Sequence, residues 1–246
     1  MRHIDRIPLS RSAHLALGKL QATVDRSNDP PKTATRLWKT ARASSKDRGA
    51  FQDVGEKLRR MSRGRHRCMY CEDNEGTDIE HHRPKSAYPH HCFAWPNLLL
   101  ACSHCNSNAK RDLFPLDAQG NPLLLDPTVD DPYEHIAFVP ETGQFQGLTP
   151  RGERTVEVFG LNRRQILERG RRNVWTELQA LMKEYSRAHR AGDAAWQSRV
   201  RQALEDLPFQ AVVHHFFRDA LERRPSVPAQ LSAIVRATRQ EWDWAR

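Results

Sequence analysis

The sequence has no apolar run long enough to cross a bilayer. Its densest run, Leu98-Leu99-Leu100-Ala101, has four residues, whereas a spanning helix needs about 20. The first residues of the chain carry charged side chains, among them Arg2, Asp5 and Arg6, and so lack the apolar centre of a secretory signal peptide. We therefore expect a soluble, cytoplasmic protein without membrane segments.

Internal repeats, low-complexity tracts and the GxxxxGK[ST] phosphate loop of ATPases are also missing from the sequence. Without that loop, any nucleotide hydrolysis would need another chain. Cysteine is scarce, with 5 in 246 residues, and two CxxC pairs among so few favour thiolates that bind metal in a reducing compartment. Apolar residues make up 38% and charged residues 28%, which indicates a folded protein with a large solvated surface.

Positive charge is in excess, since 39 lysines and arginines face 30 acidic residues, for a formal net charge of +9 and a pI of about 9.7. This favours polyanionic partners through counterion release, but it does not separate DNA, RNA and acidic proteins. Two basic runs flank the centre of the chain, and they could be solvated helix faces or contacts with a nucleic-acid backbone. The runs are Lys57, Arg59, Arg60, Arg63, Arg65 and Arg67, and then Arg163, Arg164, Arg169, Arg171 and Arg172.

The first predicted segment, residues 1–67, is helical and basic. One helix should stop at Asn28-Asp29-Pro30-Pro31, and a second is predicted from about Phe51 to Arg60. Their apolar stripes are Leu15, Leu17, Leu20 and Val24, and then Phe51, Val54, Leu58 and Met61.

Three further segments follow: a specialised centre at residues 68–115, a turn-rich connector at 116–150 and a helical region at 151–246. Short extended pieces are predicted at Ile136–Val139 and near Phe145. Four apolar faces at helical spacing mark the last segment. They run from Trp175 to Tyr185, from Trp196 to Leu207, from Val212 to Leu221 and from Ile234 to Trp242. The fold class is therefore mainly α with a small α+β centre.

Two CxxC pairs dominate that centre: Cys68-Met69-Tyr70-Cys71 and Cys102-Ser103-His104-Cys105, with 30 residues between them. Each pair presents two sulfurs to one ion, and two pairs complete the tetrahedral shell that structural zinc prefers. A complete shell leaves no open position, so this zinc should organise the fold and not perform chemistry. His104 is a competing ligand, although two complete pairs favour the cysteines.

The residues between and after the two pairs carry groups suited to phosphodiester hydrolysis. That reaction needs a hard cation on the phosphate, a base for water and positive charge for the transition state. Glu80 and the side-chain oxygen of Asn106 are hard ligands suited to Mg²⁺ or Mn²⁺. His81 can be the base, because the ordinary pKa of histidine lies near neutrality.

This pattern resembles the HNH (ββα-metal) nucleases, in the branch whose four cysteines hold a structural zinc. The similar motifs are Glu80-His81-His82-Arg83-Pro84, Trp95-Pro96-Asn97-Leu98 and the asparagine directly after Cys105. The resemblance implies a β-hairpin followed by a helix, one divalent cation on Glu80 and Asn106, and His81 as general base. It also implies that Asn97 positions the hairpin loop or orients His81. Lys110, one turn beyond Asn106, is expected to touch a phosphate.

Two features depart from the family pattern. The acidic metal position is Glu80, where many relatives carry Asp or His, so the ligand geometry can differ. The doublet His81-His82 leaves the base open, because strict strand alternation would place Glu80 and His82 on one face and His81 on the other. The spacing to Pro84 favours His81.

A wider resemblance covers much of the chain and points to the HNH subunit of Septu-type and retron-associated anti-phage systems. The similar stretches are Asp78–Ser86, Trp95–Pro115, Leu125-Asp126-Pro127, Arg151-Gly152 and Gly160-Leu161-Asn162-Arg163. Members of that family are thought to act beside a separate ATPase subunit, which implies such a partner here.

Three functions follow from these observations. A metal-dependent endonuclease, acting on DNA in preference to RNA, explains the whole set of residues. A non-catalytic zinc module that binds nucleic acid through its arginines explains the cysteines and the charge, but not Glu80, His81, Asn97 and Asn106 together. A subunit whose nuclease is latent until it docks with an ATPase is compatible with the first function.

Overall fold

The computed structural model describes residues 1–62 and 66–245. The chain is mainly helical with two small antiparallel sheets, which confirms the predicted α+β class. The helices are α1 (Arg11–Asp25), α2 (Pro30–Ala43), α3 (Arg48–Met61), α4 (Pro150–Val158), α5 (Gln165–Arg190), α6 (Ala194–Asp206), α7 (Gln210–Glu222) and α8 (Ala229–Ala237). The strands are β1 (Asp78–His81), β2 (Leu98–Ala101), β3 (Ile136–Val139) and β4 (Gln144–Gly147), and a π-helix spans His104–Lys110. No described helix combines the length and the apolar character that a membrane crossing requires.

Capping side chains set the boundaries of the N-terminal helices. Ser10 accepts a hydrogen bond from the backbone nitrogen of Ala13 at the start of α1, and Asp29 accepts one from Lys32 at the start of α2. The Asn28-Asp29-Pro30-Pro31 sequence ends the first predicted helix, as expected. It also begins α2, because proline is favoured in the first turn of a helix. Helix α2 therefore has no counterpart among the predicted elements.

The apolar stripes of the first two predicted helices are largely confirmed. Leu17 and Val24 of α1 are buried, and so are all four stripe residues of α3. Leu15 is the exception, with 54% of its surface exposed. It lies two residues from Leu17 and so on the far side of the helix. Its assignment to the core was wrong.

The predicted extended pieces form the β3–β4 hairpin, in which Phe138 pairs with Phe145. The hairpin packs on α5 through Arg171, a member of the second basic run that is fully buried. Its guanidinium donates to the carbonyls of Gly143 (3.1 Å) and Leu161 (2.8 Å) and lies 4.3 Å from the ring centroid of Phe145. Arg171 therefore holds the fold together and is not available to nucleic acid.

The predicted C-terminal helices are present as α5 to α8. Their core includes Tyr185, Phe217 and Trp242, whose rings lie 4.7 to 4.8 Å apart in successive pairs. The last predicted stripe is divided, because α8 ends at Ala237 and a short 3-10 segment, Arg239–Ala245, carries Trp242. One cluster of buried side chains draws on all four predicted segments, whose division into separate units stays a prediction.

His215 of α7 lies in the aromatic part of this core. It is 6% exposed, and its ring centroid lies 4.8 Å from that of Tyr133 and 6.4 Å from that of Phe138. Burial lowers the pKa of His215 from its usual value to about 3. The imidazole is therefore neutral in the folded protein at neutral pH.

We predict that His215 makes the protein less stable as the pH falls below 6.5. Between pH 6.5 and 3 the unfolded chain binds a proton at this residue that the folded protein does not bind, so protonation favours unfolding. The expected loss is about 1.4 kcal/mol between pH 7.5 and pH 5.5. Denaturant unfolding of zinc-loaded native protein and His215→Gln at both pH values measures it. Equal pH slopes in the two proteins would contradict the prediction.

Candidate metal centre and active site

The four cysteines of the two CxxC pairs converge on one point. All four are buried, and their sulfurs lie within 4.8 Å of one another, with Cys71 Sγ and Cys102 Sγ 3.8 Å apart. Sulfurs placed about 2.3 Å from a tetrahedral zinc ion are separated by about 3.8 Å, so the group fits this metal. Across residues 1–62 and 66–245, no other group of His, Cys, Asp and Glu side chains has such an arrangement. His104 is not part of it.

Local hydrogen bonds prepare these sulfurs for a cation. The first pair lies in a turn in which Cys68 N donates to the carbonyl of Asn74 (2.8 Å). The Asn74 amide and the backbone nitrogen of Cys105 both point at Cys102 Sγ, at 3.8 and 3.5 Å. Hydrogen bonds from the thiols of Cys105 and Cys68 lower the pKa of Cys102. Because zinc binds the thiolate form of cysteine, a lowered thiol pKa favours the metal.

The second cysteine pair joins the strand pair to the helix. Strand β1 runs antiparallel to β2, with Asp78 opposite Ala101 and Glu80 opposite Leu99. Cys102 follows β2 directly, and the π-helix begins inside the second CxxC pair. Strand, strand and helix thus follow one another in the order that the HNH resemblance implied. The role of this unit in holding a catalytic metal stays a prediction.

Strand β1 and the π-helix contact each other through two pairs of side chains. In the outer pair, the amide nitrogen of Asn106 donates to Asp78 Oδ2 at 3.0 Å, and both residues are partly exposed. In the inner pair, Lys110 Nζ lies 2.6 Å from Glu80 Oε1. Residues two apart in a strand share a face, and so do residues four apart in a helix. A single alignment of β1 against the π-helix therefore produces both pairs.

The inner pair is a buried ion pair with every group satisfied. Glu80 is 1% exposed and Lys110 is fully buried. Lys110 Nζ also donates to the carbonyl of His81 (2.9 Å), and the hydroxyl of Tyr70 donates to Glu80 Oε2 (3.0 Å). Burial raises the pKa of Tyr70, so its hydroxyl stays protonated and donates. Lys110 has no path to a phosphate in this arrangement.

The predicted metal pair of Glu80 and Asn106 does not fit a cation in this structure. Both oxygens of Glu80 are already engaged, one with the ammonium group of Lys110 and the other with the hydroxyl of Tyr70. The side-chain amide of Asn106 bonds to Asp78 instead. The sequence motifs did not point to Tyr70, whose only signal is an aromatic residue inside a CxxC pair.

The two neighbouring histidines lie on opposite sides of the strand. His81 is 7% exposed, packs 4.2 Å from the ring of Trp38 and contacts the carbonyl of Cys92 through Nε2 at 3.0 Å. Burial lowers its pKa to about 3. His82 is buried on the side of Glu80, 5.3 Å from the ring of Phe114, and its Nδ1 has no hydrogen-bond partner among the described residues. Burial lowers the pKa of His82 as well.

Asn97 holds the loop that joins β1 to β2. Its amide nitrogen donates to the carbonyls of Arg83 (3.0 Å) and His91 (2.9 Å), and its oxygen accepts from the backbone nitrogen of Arg83 (2.7 Å). The backbone nitrogen of His82 donates to the carbonyl of Asn97 (2.9 Å). These side-chain bonds go to the loop backbone and not to the ring of His81.

A cleft of about 690 Å³ lies on the other face of the π-helix, beside His104 and Asn108. Its floor includes Phe114, which packs on His82, and Phe159, which stacks on Tyr70. The cationic side chains at its edge are Arg154, Arg163 and Arg164. Among the described residues, Nε and Nη2 of Arg164 are buried without a hydrogen-bond partner.

The first basic run is only partly described. Arg63 and Arg65 lie outside the described residues. Lys57 is engaged with Asp53 at 3.8 Å, whereas Arg60 is exposed. The part of the run that is available to a polyanion is therefore smaller than the sequence suggested.

We predict one tightly bound zinc ion per chain, held by the four clustered cysteines. Cys71→Ser removes one ligand of a complete shell, so zinc should be lost and thermal stability should fall sharply. Elemental mass spectrometry and a thermal scan measure both effects. Cys92→Ser is the matched control, because the Cys92 thiol is buried outside the cluster and contacts the carbonyl of Ala34. Equal zinc content in Cys71→Ser and the native chain would rule out this site.

We predict that Lys110→Met destabilises the protein by about 3–5 kcal/mol, because it leaves the carboxylate of Glu80 charged and unpaired in the interior. The double variant Glu80→Gln with Lys110→Met removes both charges and should recover much of that loss. Denaturant unfolding measures each variant. Lys39→Met, at an exposed position, should change the stability by no more than about 0.5 kcal/mol. A Lys110→Met protein as stable as the Lys39→Met control would contradict the proposed burial of the pair.

No protein-family model matches the chain. The chain is 33% identical over 152 residues to the Septu protein PtuB of Bacillus mycoides (strain KBAB4). This match covers 48% of this chain and 50% of the relative. The chain is 32% identical over 111 residues to the Septu protein PtuB of Bacillus thuringiensis, covering 43% of this chain and 40% of the relative. The chain thus spans half or less of the length of these curated relatives. The matches support a relationship with Septu proteins.

Proposed function

We propose that this chain is a metal-dependent endonuclease that hydrolyses phosphodiester bonds of nucleic acid, with DNA favoured, as a subunit of a Septu-type anti-phage system. The observation that carries the proposal is the strand–strand–helix unit on the four-cysteine centre, with the oxygen-bearing side chains of Asp78 and Asn106 at its partly exposed end. A divalent cation in such an enzyme stabilises charge on the phosphate. The likeness to Septu proteins supports the defence setting.

The cleft beside the π-helix supports nucleic acid as the substrate. Its apolar floor suits a base, and the arginines at its edge, of which Arg163 is exposed, suit a phosphate oxygen. Phe114 and Phe159 connect the cleft to His82 and Tyr70, so a nucleic-acid strand bound there would pass beside the strand–strand–helix unit.

His81 is the proposed general base, and His82 is the alternative. A neutral imidazole that donates one N–H to the carbonyl of Cys92 keeps a lone pair on its other nitrogen, which is the form that accepts a proton from water. The spacing to Pro84 and the HNH resemblance favour His81. The position of His82 on the side of Glu80, with a buried Nδ1 that has no hydrogen-bond partner in the described part of the chain, supports the alternative.

The resting arrangement supports a nuclease that is latent in the isolated chain. His81, the proposed base, is enclosed by Trp38 and only 7% exposed. A partner that docks and shifts the loop after β1 would expose it to a substrate. The proposed partner is an ATPase subunit, in line with the Septu-type resemblance.

The same observations favour one alternative, a zinc-stabilised module that binds nucleic acid without cutting it. In that reading Glu80, Lys110 and Tyr70 form a structural network, and the arginines around the cleft provide the binding surface. Binding without cleavage under every metal condition would favour it.

The deciding experiment incubates the zinc-loaded chain, alone and with its genomic neighbour, with plasmid DNA and total RNA in Mg²⁺, Mn²⁺ or EDTA. We expect metal-dependent cutting of DNA that falls by about 10²- to 10⁴-fold in His81→Ala, the usual contribution of a general base. His14→Ala, at an exposed position of α1, is the matched control. Zinc content and circular dichroism establish that each variant is folded.

Cutting that survives in His81→Ala but is lost in His82→Ala would assign the base to His82. Cutting by every variant alike would point to a contaminating nuclease. Degradation of the RNA while the plasmid DNA stays intact would show that RNA and not DNA is the substrate. Nucleic-acid binding without cutting, with or without the neighbour, would sink the nuclease and leave the binding module.

A further inference from the structure

We infer that the divalent cation of the proposed nuclease binds at the outer pair, Asp78 and Asn106, and that Glu80 is not one of its ligands. The role of this cation in cleavage rests on the proposed function. Its binding does not, and can be measured without any substrate.

The spacing of the outer pair suits one octahedral cation. Asp78 Oδ2 and the amide nitrogen of Asn106 are 3.0 Å apart. A half turn of that amide exchanges its nitrogen and oxygen, which brings two oxygens to the same separation. Two adjacent ligands of an octahedral ion at about 2.1 Å are about 3.0 Å apart, which matches this separation. Mg²⁺ and Mn²⁺ accept such a partial shell, because water and substrate phosphate complete it.

The charges around the outer pair favour a cation there. Among the described residues, Asp78 forms no ion pair with a lysine or arginine, although the chain carries an excess of positive charge. Within residues 1–62 and 66–245, its other oxygen, Oδ1, accepts a hydrogen bond only from the hydroxyl of Thr77. Four thiolates around one zinc ion carry a net negative charge, and Cys102 and Cys105 lie within four residues of Asn106 along the chain. A carboxylate without a counter-ion beside a negative centre attracts a small cation.

The zinc centre also holds the two ligands in place. Asp78 begins β1 opposite Ala101, the residue before Cys102. Asn106 follows Cys105, and its backbone nitrogen donates to the carbonyl of Cys102 at 2.9 Å. Strand pairing therefore holds Asp78 next to the second cysteine pair, and Asn106 directly follows that pair. Glu80 lies two residues beyond Asp78 in β1, and Lys110 lies four residues beyond Asn106 in the π-helix, so the inner pair is farther from the cysteines along both elements. It already contains its own cation, the ammonium of Lys110.

The test titrates Mn²⁺ into zinc-loaded protein and follows the loss of the free-ion signal by electron paramagnetic resonance. We expect one Mn²⁺ site outside the zinc cluster. Asp78→Asn should weaken binding at least about tenfold, because it removes the only negative charge of the outer pair. Asn106→Asp should strengthen binding, because it supplies a second carboxylate.

Two controls separate the outer pair from the inner one. The double variant Glu80→Gln with Lys110→Met removes the inner charges together, and should bind Mn²⁺ like the native chain. Asp112→Asn removes an exposed carboxylate that accepts from Ser86, and should also leave binding unchanged. Zinc content and circular dichroism are measured for every variant, so that loss of fold is not read as loss of the site.

Mn²⁺ binding that survives in Asp78→Asn and is lost in the double variant would overturn the inference and return the site to Glu80. No binding of Mn²⁺ by the native chain would overturn it as well. The nuclease assay keeps the two proposals apart. Cutting that persists in Asp78→Asn refutes the cation site but leaves the nuclease in place. Mn²⁺ bound at Asp78 in a chain that never cuts refutes the nuclease but leaves the site.

Discussion

The convergence of four sulfurs on one point is the constraint on which the rest of the centre depends. Strands of four residues are too short to be stable alone, and β1 and β2 are joined by a loop of 16 residues, 82–97. The cysteines fix both ends of this unit, because one pair precedes β1 and the other directly follows β2. A single ion can therefore set the strand register, the start of the π-helix and the contact between them.

Electrostatics then divides that contact into two unlike halves. The inner pair has lost its water, so its charges stabilise each other only while both are present. The outer pair keeps contact with solvent and can exchange partners at little cost. The strand–helix contact thus combines a fixed structural connection with an adaptable polar site, and the difference arises from burial and not from residue type.

Much of this fold could be predicted from the sequence, and the exceptions have physical causes. The cysteine pairs, most of the helical stripes and the extended pieces at Ile136–Val139 and near Phe145 follow from local patterns, and the structure agrees with them. Helix α2 was not predicted, because a pair of prolines marks the end of one helix as readily as the start of the next. The burial of Arg171 depends on carbonyls that only the folded hairpin supplies.

The site itself was less predictable. Motif spacing identified Glu80 and Asn106, but it could not show which residue of β1 faces which residue of the helix. That depends on where the second CxxC pair starts the helix, a three-dimensional property. Tyr70 illustrates the same point, since its role arises only when the first cysteine pair folds back over Glu80.

The π-helix has a consequence for how the chain can change over evolution. Its closing bond joins the backbone nitrogen of Arg111 to the carbonyl of Asn106 at 2.7 Å, five residues back, where an α-helix would bond four residues back. Four residues of a π-helix turn through about 330° and three residues of an α-helix through about 300°, so the two intervals place a side chain in nearly the same direction. Deleting one residue between Asn106 and Lys110 and restoring α-helical bonding would therefore leave Lys110 close to Glu80. Related chains that keep the buried ion pair can thus differ by one residue in this interval, provided that the type of helix changes with it.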